Sequence, residues 1–180
     1  MQKPAGWDEI EAKEFGTYEQ LELGGHVCQI VKAETIRTST GKEALKLYLD
    51  IADGTQKGFY KRQWDRDTRQ QRKWGCTFIQ LTEGNSQPYF KGLMTAIEKS
   101  NPQYKWNWNE NSLKNLLIGG VFGREQYRKN DGSLAWFTKC VNLRSIESIL
   151  AGVEVPADKY LDDSAEVFKP VTDDDDIPWI

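Results

Sequence analysis

Seven consecutive positions constrain the fold most: Leu45, Leu47, Leu49 and Ile51 alternate with Lys46, Tyr48 and Asp50. A period of two with one apolar side describes a strand that faces a core on one side and water on the other. Residues 26–36 read as a strand before it, opened by Gly24 and Gly25 and carrying Val27, Ile30, Val31 and Ile36. Thr38, Ser39, Thr40 and Gly41 form the loop between them. Asp53-Gly54 reads as a hairpin turn, so residues 56–64 are expected as a third strand and the three as an antiparallel meander.

Residues 65–74 are polar and read as helix or loop, and 76–81 as a short extended piece. Phe90, Leu93, Met94 and Ile97 recur at helical spacing over 89–99, and Asn101-Pro102 ends that helix. Residues 112–117 read as a further helical turn, with Leu113, Leu116 and Leu117 on one side. Gly119-Gly120 opens a fourth strand over 121–128; Asn130, Asp131, Gly132 and Ser133 turn it; 134–144 return as a fifth. Three strands, a helical insert and a closing hairpin match a mainly β, five-stranded OB-fold Greek-key barrel with the helix between strands 3 and 4. The expected organisation is an N-terminal arm over 1–20, the barrel domain over 21–152, and a flexible acidic C-terminal tail over 153–180.

The tail hides the charge of the rest. Residues 154–180 hold nine acidic and two basic side chains, which leaves 22 basic against 18 acidic in a chain whose formal net charge is −3. A basic body with an acidic tail points to nucleic acid. The tail reads as solvated, with short packed pieces around Tyr160-Leu161 and Val167-Phe168. Cys28, Cys76 and Cys140 are far apart and His26 is the single histidine, so a zinc site and a Ser-His-Asp set are both disfavoured. No phosphate-loop or dinucleotide motif occurs, and no apolar run reaches the roughly 20 residues of a membrane span. The expectation is a non-enzymatic cytoplasmic protein with reduced thiols, no cofactor and no metal; a homo-oligomer is compatible with it.

The sharpest chemistry lies in residues 57–74. Lys57, Lys61, Arg62, Arg66, Arg69, Arg72 and Lys73 oppose only Asp65 and Asp67, and Phe59, Tyr60, Trp64 and Trp74 are interleaved with them. Cations neutralise phosphates while flat rings stack on unpaired bases, so this mixture suits single-stranded nucleic acid. On a third strand, Tyr60, Arg62 and Trp64 would share a face beside Lys46 and Tyr48. A second patch lies on the terminal hairpin: Arg124, Tyr127, Arg128, Lys129, Trp136, Lys139 and Arg144. Tyr104, Trp106 and Trp108 would share a side if extended; covering the barrel mouth is favoured slightly over stacking bases.

The last residues read Asp173, Asp174, Asp175, Asp176, Ile177, Pro178, Trp179, Ile180. This resembles the acidic, aromatic-tipped C-terminus of bacterial single-stranded DNA-binding proteins. The body, with Gly24-Gly25-His26-Val27-Cys28, the strand and turn over 45–54 and the strand–helix–strand order, looks like the single-stranded DNA-binding proteins of phages of Gram-positive bacteria. The resemblance implies an OB fold, sequence-tolerant coating of single-stranded DNA in a bacterial host cell, and recruitment of replication and recombination enzymes by the tip. In the bacterial tip the aromatic residue is last; here Ile180 follows Trp179, which displaces the terminal carboxylate by one residue. The alternatives are a strand-annealing or nuclease accessory factor and an RNA-binding OB protein.

Overall fold

Leu45, Leu47, Leu49 and Ile51 all turn into the interior, each at most 3% exposed, in the computed structural model of the chain. It describes residues 3, 8 and 19–161. They sit on β2 (Glu43–Ile51), which pairs antiparallel with β1 (Gly24–Arg37) on one edge and with β3 (Thr77–Leu81) on the other. β4 (Leu117–Arg128) joins the other edge of β1, and β5 (Leu134–Arg144) follows as its hairpin partner. The sheet order is β3-β2-β1-β4-β5.

The sheet is open, not the closed barrel expected from the sequence. Among the described residues no ladder joins β3 to β5, although the two strands approach each other. β3 is only five residues long, and the helix α2 (Gln87–Ser100) packs against β3 and β5 alike. The helix between the third and fourth strands is present, as the spacing of Phe90, Leu93, Met94 and Ile97 indicates. Its end is pinned by Asn101, whose side chain donates to the carbonyls of Ile97 and Leu117 and accepts from the Leu117 N–H. That contact also sets where β4 begins.

The third strand expected at 56–64 is instead a helix, α1 (Phe59–Arg66). Phe59 and Tyr60 are buried, and Lys61 and Asp65 form an i,i+4 ion pair at 2.6 Å on the exposed side. The strand role passes to the short extended piece at 77–81. No helix start signal stands next to Phe59, because the cap comes from far along the chain. The buried Asp50 accepts from the N–H of Tyr60 at 2.9 Å and of Lys61 at 3.3 Å, and from its neighbour Ile51 at 2.8 Å. Asp53-Gly54 therefore turns the chain into a helix rather than a hairpin. Asp50→Ala leaves these amides without an acceptor and is expected to cost about 2–3 kcal/mol. Urea unfolding followed by circular dichroism checks this; an unchanged midpoint would remove the cap from the account.

The core lies on one face of the sheet and holds Cys28, Ile30, Leu47, Leu49, Ile97, Leu113, Ile118 and Phe122, all fully buried. On the other face the short helix α3 (Ile146–Leu150) lies on β1 and β4. Glycine makes that seat: a Cβ on Gly119 would stand 2.2 Å from Ile149 Cγ1, and one on Gly25 would stand 2.8 Å from Ile149 and from Val153. The three thiols are buried and unpaired, and burial pushes Cys140 up to about 12. No described helix is long and apolar enough to cross a membrane.

The stretch from 153 is not wholly free of the body. Residues 158–161 run beside β4 where β1 has ended: the Lys159 N–H donates to the Arg124 carbonyl and the Gln126 N–H donates to the Lys159 carbonyl, both at 2.9 Å. Of the piece expected to pack at Tyr160-Leu161, Tyr160 touches the Trp136 ring, but both side chains stay exposed. Val167, Phe168 and the tip from Asp173 to Ile180 lie outside the described residues, as does most of the arm over 1–20.

Candidate nucleic-acid interface

Register decides which side chains share a surface. On the outward face of β2, Lys46 and Tyr48 project away from the core; Glu34 lies across from Lys46 and Lys32 from Tyr48 on β1, and Ile79 and Thr77 lie across on β3. The Tyr48 ring sits between two cations, Lys32 at 5.1 Å and Lys46 at 5.4 Å from its centroid. Its hydroxyl donates to Glu34, which also meets Lys32. The hydrogen bonds from Lys32 and Tyr48 hold the Glu34 carboxyl below its ordinary range. Lys32 and Glu34 were not among the expected site residues, because no alternation marks that half of β1. A register shift between Ile30 and Lys32 breaks it.

The 57–74 segment divides in the structure. Tyr60 leaves the surface altogether: it is 3% exposed and stacks on Phe122 with ring centroids 6.4 Å apart. Burial raises its hydroxyl well above the usual range. Its expected role as a surface ring beside Tyr48 is therefore corrected, and the cause is the helix, which turns Phe59 and Tyr60 inward together. Trp64 and Trp74 stay half-buried, 5.8 Å apart, and the Arg72 guanidinium lies 4.3 Å from the Trp64 ring. Arg72 also donates to the carbonyls of Trp64 and Asp67, which fixes it there. Trp74 donates to the Leu49 carbonyl at 2.7 Å, so it is anchored to β2 and packs on the core.

Several cations of this run are already matched by carboxylates. Arg62 meets Glu19 at 2.7 Å and donates to the Lys57 carbonyl; Lys61 meets Asp65. Arg69 grips Asp67 through two nitrogens, and the Arg69 guanidinium holds the Asp67 carboxyl at about 2. Lys57 and Arg66 are exposed, and Lys73 is half-buried. The segment is thus less positive toward an approaching ligand than its residue count suggests.

The terminal hairpin also divides, this time between two faces. Arg124, Gln126 and Arg128 share a face with Thr138, Trp136 and Leu134, and that face continues from Phe122 and Cys140. Glu125, Tyr127, Phe137 and Lys139 lie on the opposite face, where Tyr127 and Phe137 meet edge-on at 5.7 Å and Lys139 reaches Glu125 at 3.4 Å. Tyr127 and Lys139 therefore do not join Arg124 and Trp136. Arg128 donates to the Gly132 carbonyl at 3.0 Å and stands with Lys129 at the turn, both exposed.

The Arg124–Trp136 face has two partners from the tail. Arg124 lies 4.8 Å from the Trp136 ring and pairs with Asp158, whose carboxyl that bond holds below its ordinary range. Tyr160 meets Trp136 edge-on at 5.1 Å and remains 68% exposed. Lys159, one step between them, turns to Glu125 on the other face at 2.6 Å. Asp158 and Tyr160 were missed as site residues. The signal was their alternation with Lys159, which mirrors the alternation of Arg124 and Gln126 with Glu125.

The arrangement brings together half-buried rings and cations in three places: Tyr48 with Lys32 and Lys46, Trp64 with Arg72, and Trp136 with Arg124. Among the described residues no group of three or more histidine, cysteine or acidic side chains is placed to hold a metal ion. No protein-family model matches the chain, and no curated protein matches it.

Proposed function

We propose that the chain is a sequence-tolerant single-stranded DNA-binding protein with an OB-like body, whose C-terminal tip recruits replication and recombination proteins. The observation that carries this reading is the repeated pairing of a surface ring with a cation on two elements, α1 with its following loop and the β4–β5 hairpin, and again on the outward side of β2. Such pairs offer stacking to unpaired bases and charge to phosphates without reading sequence. The strand order supports the OB reading, since β1 is shared between two ladders and the terminal hairpin follows the helical insert. Open five-stranded barrels of this kind bind oligonucleotides on the strand 2–3 face and the loop between the last two strands. Lys46 and Tyr48 lie on the first of these, and Arg128 and Lys129 flank the second.

Titration of the full chain with oligo-dT tests this. Quenching of Trp fluorescence is expected, with affinity falling linearly against salt on a double-logarithmic plot. Folded protein that gives no quenching at low salt ends the reading. Matched DNA and RNA oligomers in the same titration separate a DNA binder from an RNA binder through the 2′-hydroxyl. Cleavage of the oligomer on adding Mg²⁺ would instead make the chain a nuclease factor.

A further inference from the structure

At the far end of β2 from α1, the loop over 104–110 stands over the start of β2 and one side of α2. It borders a half-open cavity of about 660 Å³. Leu45 and Met94 are buried beneath it, and Phe90, Trp106 and Trp108 line it. The rings are set against one another, Phe90 edge-on to Trp106 at 6.4 Å and Trp106 to Trp108 at 6.0 Å. Tyr104 and Trp106 pack on the core, in agreement with the covering role expected of this stretch, but Trp108 does not. It is 79% exposed and is held at φ 63°, a left-handed backbone that a bulky side chain adopts at a cost.

The charges around these rings are mainly negative. Glu43, Glu83, Glu98 and Glu110 line the cavity against a single lysine, Lys91. The Trp106 N–H and Lys105 hold the Glu98 carboxyl below its ordinary range, so it stays ionised. An acidic rim repels phosphates, which sets this cavity apart from the ring–cation pairs on the other elements. Trp106 Nε1 is also the one buried side-chain donor among the described residues with no hydrogen-bond partner.

We propose that this cavity is a docking site for an arginine-bearing peptide segment of a partner protein. A guanidinium is planar, stacks on indole faces and is weakly hydrated, so a Trp-lined, acidic cavity favours it over other cations. The surface is separate from the proposed DNA-binding residues, so the two readings fail independently.

Fluorescence anisotropy with a labelled, acetylated and amidated hexa-arginine peptide tests this on the full chain at low ionic strength. Trp108→Ala, at an exposed position, is expected to weaken binding about tenfold, and Glu83→Gln with Glu110→Gln to weaken it further. The combined variant Asp173→Asn, Asp174→Asn, Asp175→Asn and Asp176→Asn should leave most of the affinity in place. Loss of binding in the tail variant with none in the cavity variants would overturn the proposal, because the peptide would then be held by the tail. No binding to the intact chain would overturn it too. So would a Trp108→Ala variant that loses oligo-dT affinity but keeps the peptide, since the cavity would then be a platform for bases.

Discussion

Trp64→Ala should weaken oligo-dT binding by the folded protein by roughly tenfold to a hundredfold, on the scale of about 1–3 kcal/mol for each stacked base. Trp64 is the ring on α1 that keeps a surface, since Phe59 and Tyr60 are turned into the core. Its geometry is prepared in advance: Arg72 is pinned over it by two carbonyls, and Trp74 backs it from an anchored position. Removing the ring takes away no charge, so the salt dependence of binding should keep its slope while the whole line drops. Arg66→Ala should do the reverse, costing little at high salt and reducing the slope by about one. Salt-dependent fluorescence titration distinguishes the two. If Trp64→Ala binds as the parent does, α1 is not part of the interface.

Phe122→Ala should be the most damaging single change to the fold, at about 3–5 kcal/mol. The side chain is fully buried and joins separate parts of the chain. It stacks on Tyr60 of α1, meets His26 of β1 edge-on at 5.5 Å, and stands opposite Cys140 of β5. A chain of this length should lose roughly 10 °C in Tm. The effect should extend to the candidate interface, because Phe122 supports α1 beneath Trp64 and begins the face that carries Arg124. Thermal unfolding by circular dichroism measures the first part. A loss under about 1 kcal/mol would mean that the site collapses around the missing ring.

The parts of the fold that were legible in the sequence are those whose stabilising contacts are local. The alternation at 45–51, the helical spacing of Phe90 to Ile97 and the turn at Asn130, Asp131, Gly132 and Ser133 each carry their own period or backbone preference. α1 did not, since its first amides are satisfied by Asp50 from the preceding strand. Without that cap in view, Phe59, Tyr60 and Trp64 read as strand aromatics. The barrel failed to close for a reason equally remote, the length of β3 and the seat of α2. At the candidate interface, residue type was informative and facing was not. The ring–cation chemistry of Trp64, Arg72, Trp136 and Arg124 was visible, but the burial of Tyr60 and the split of Tyr127 and Lys139 from Trp136 depend on a helix and on strand register.

The β4–β5 hairpin runs on past the end of β1, and a strand that outruns its neighbour presents a bare row of amides and carbonyls to any extended peptide. Lys159 occupies that row through its bonds to Arg124 and Gln126. The chain thereby brings its own stopper to a sheet margin that would otherwise recruit copies of itself. If the chain coats a polymer as proposed, such a guard has a purpose, because crowding along that polymer is where stray strand pairing would begin.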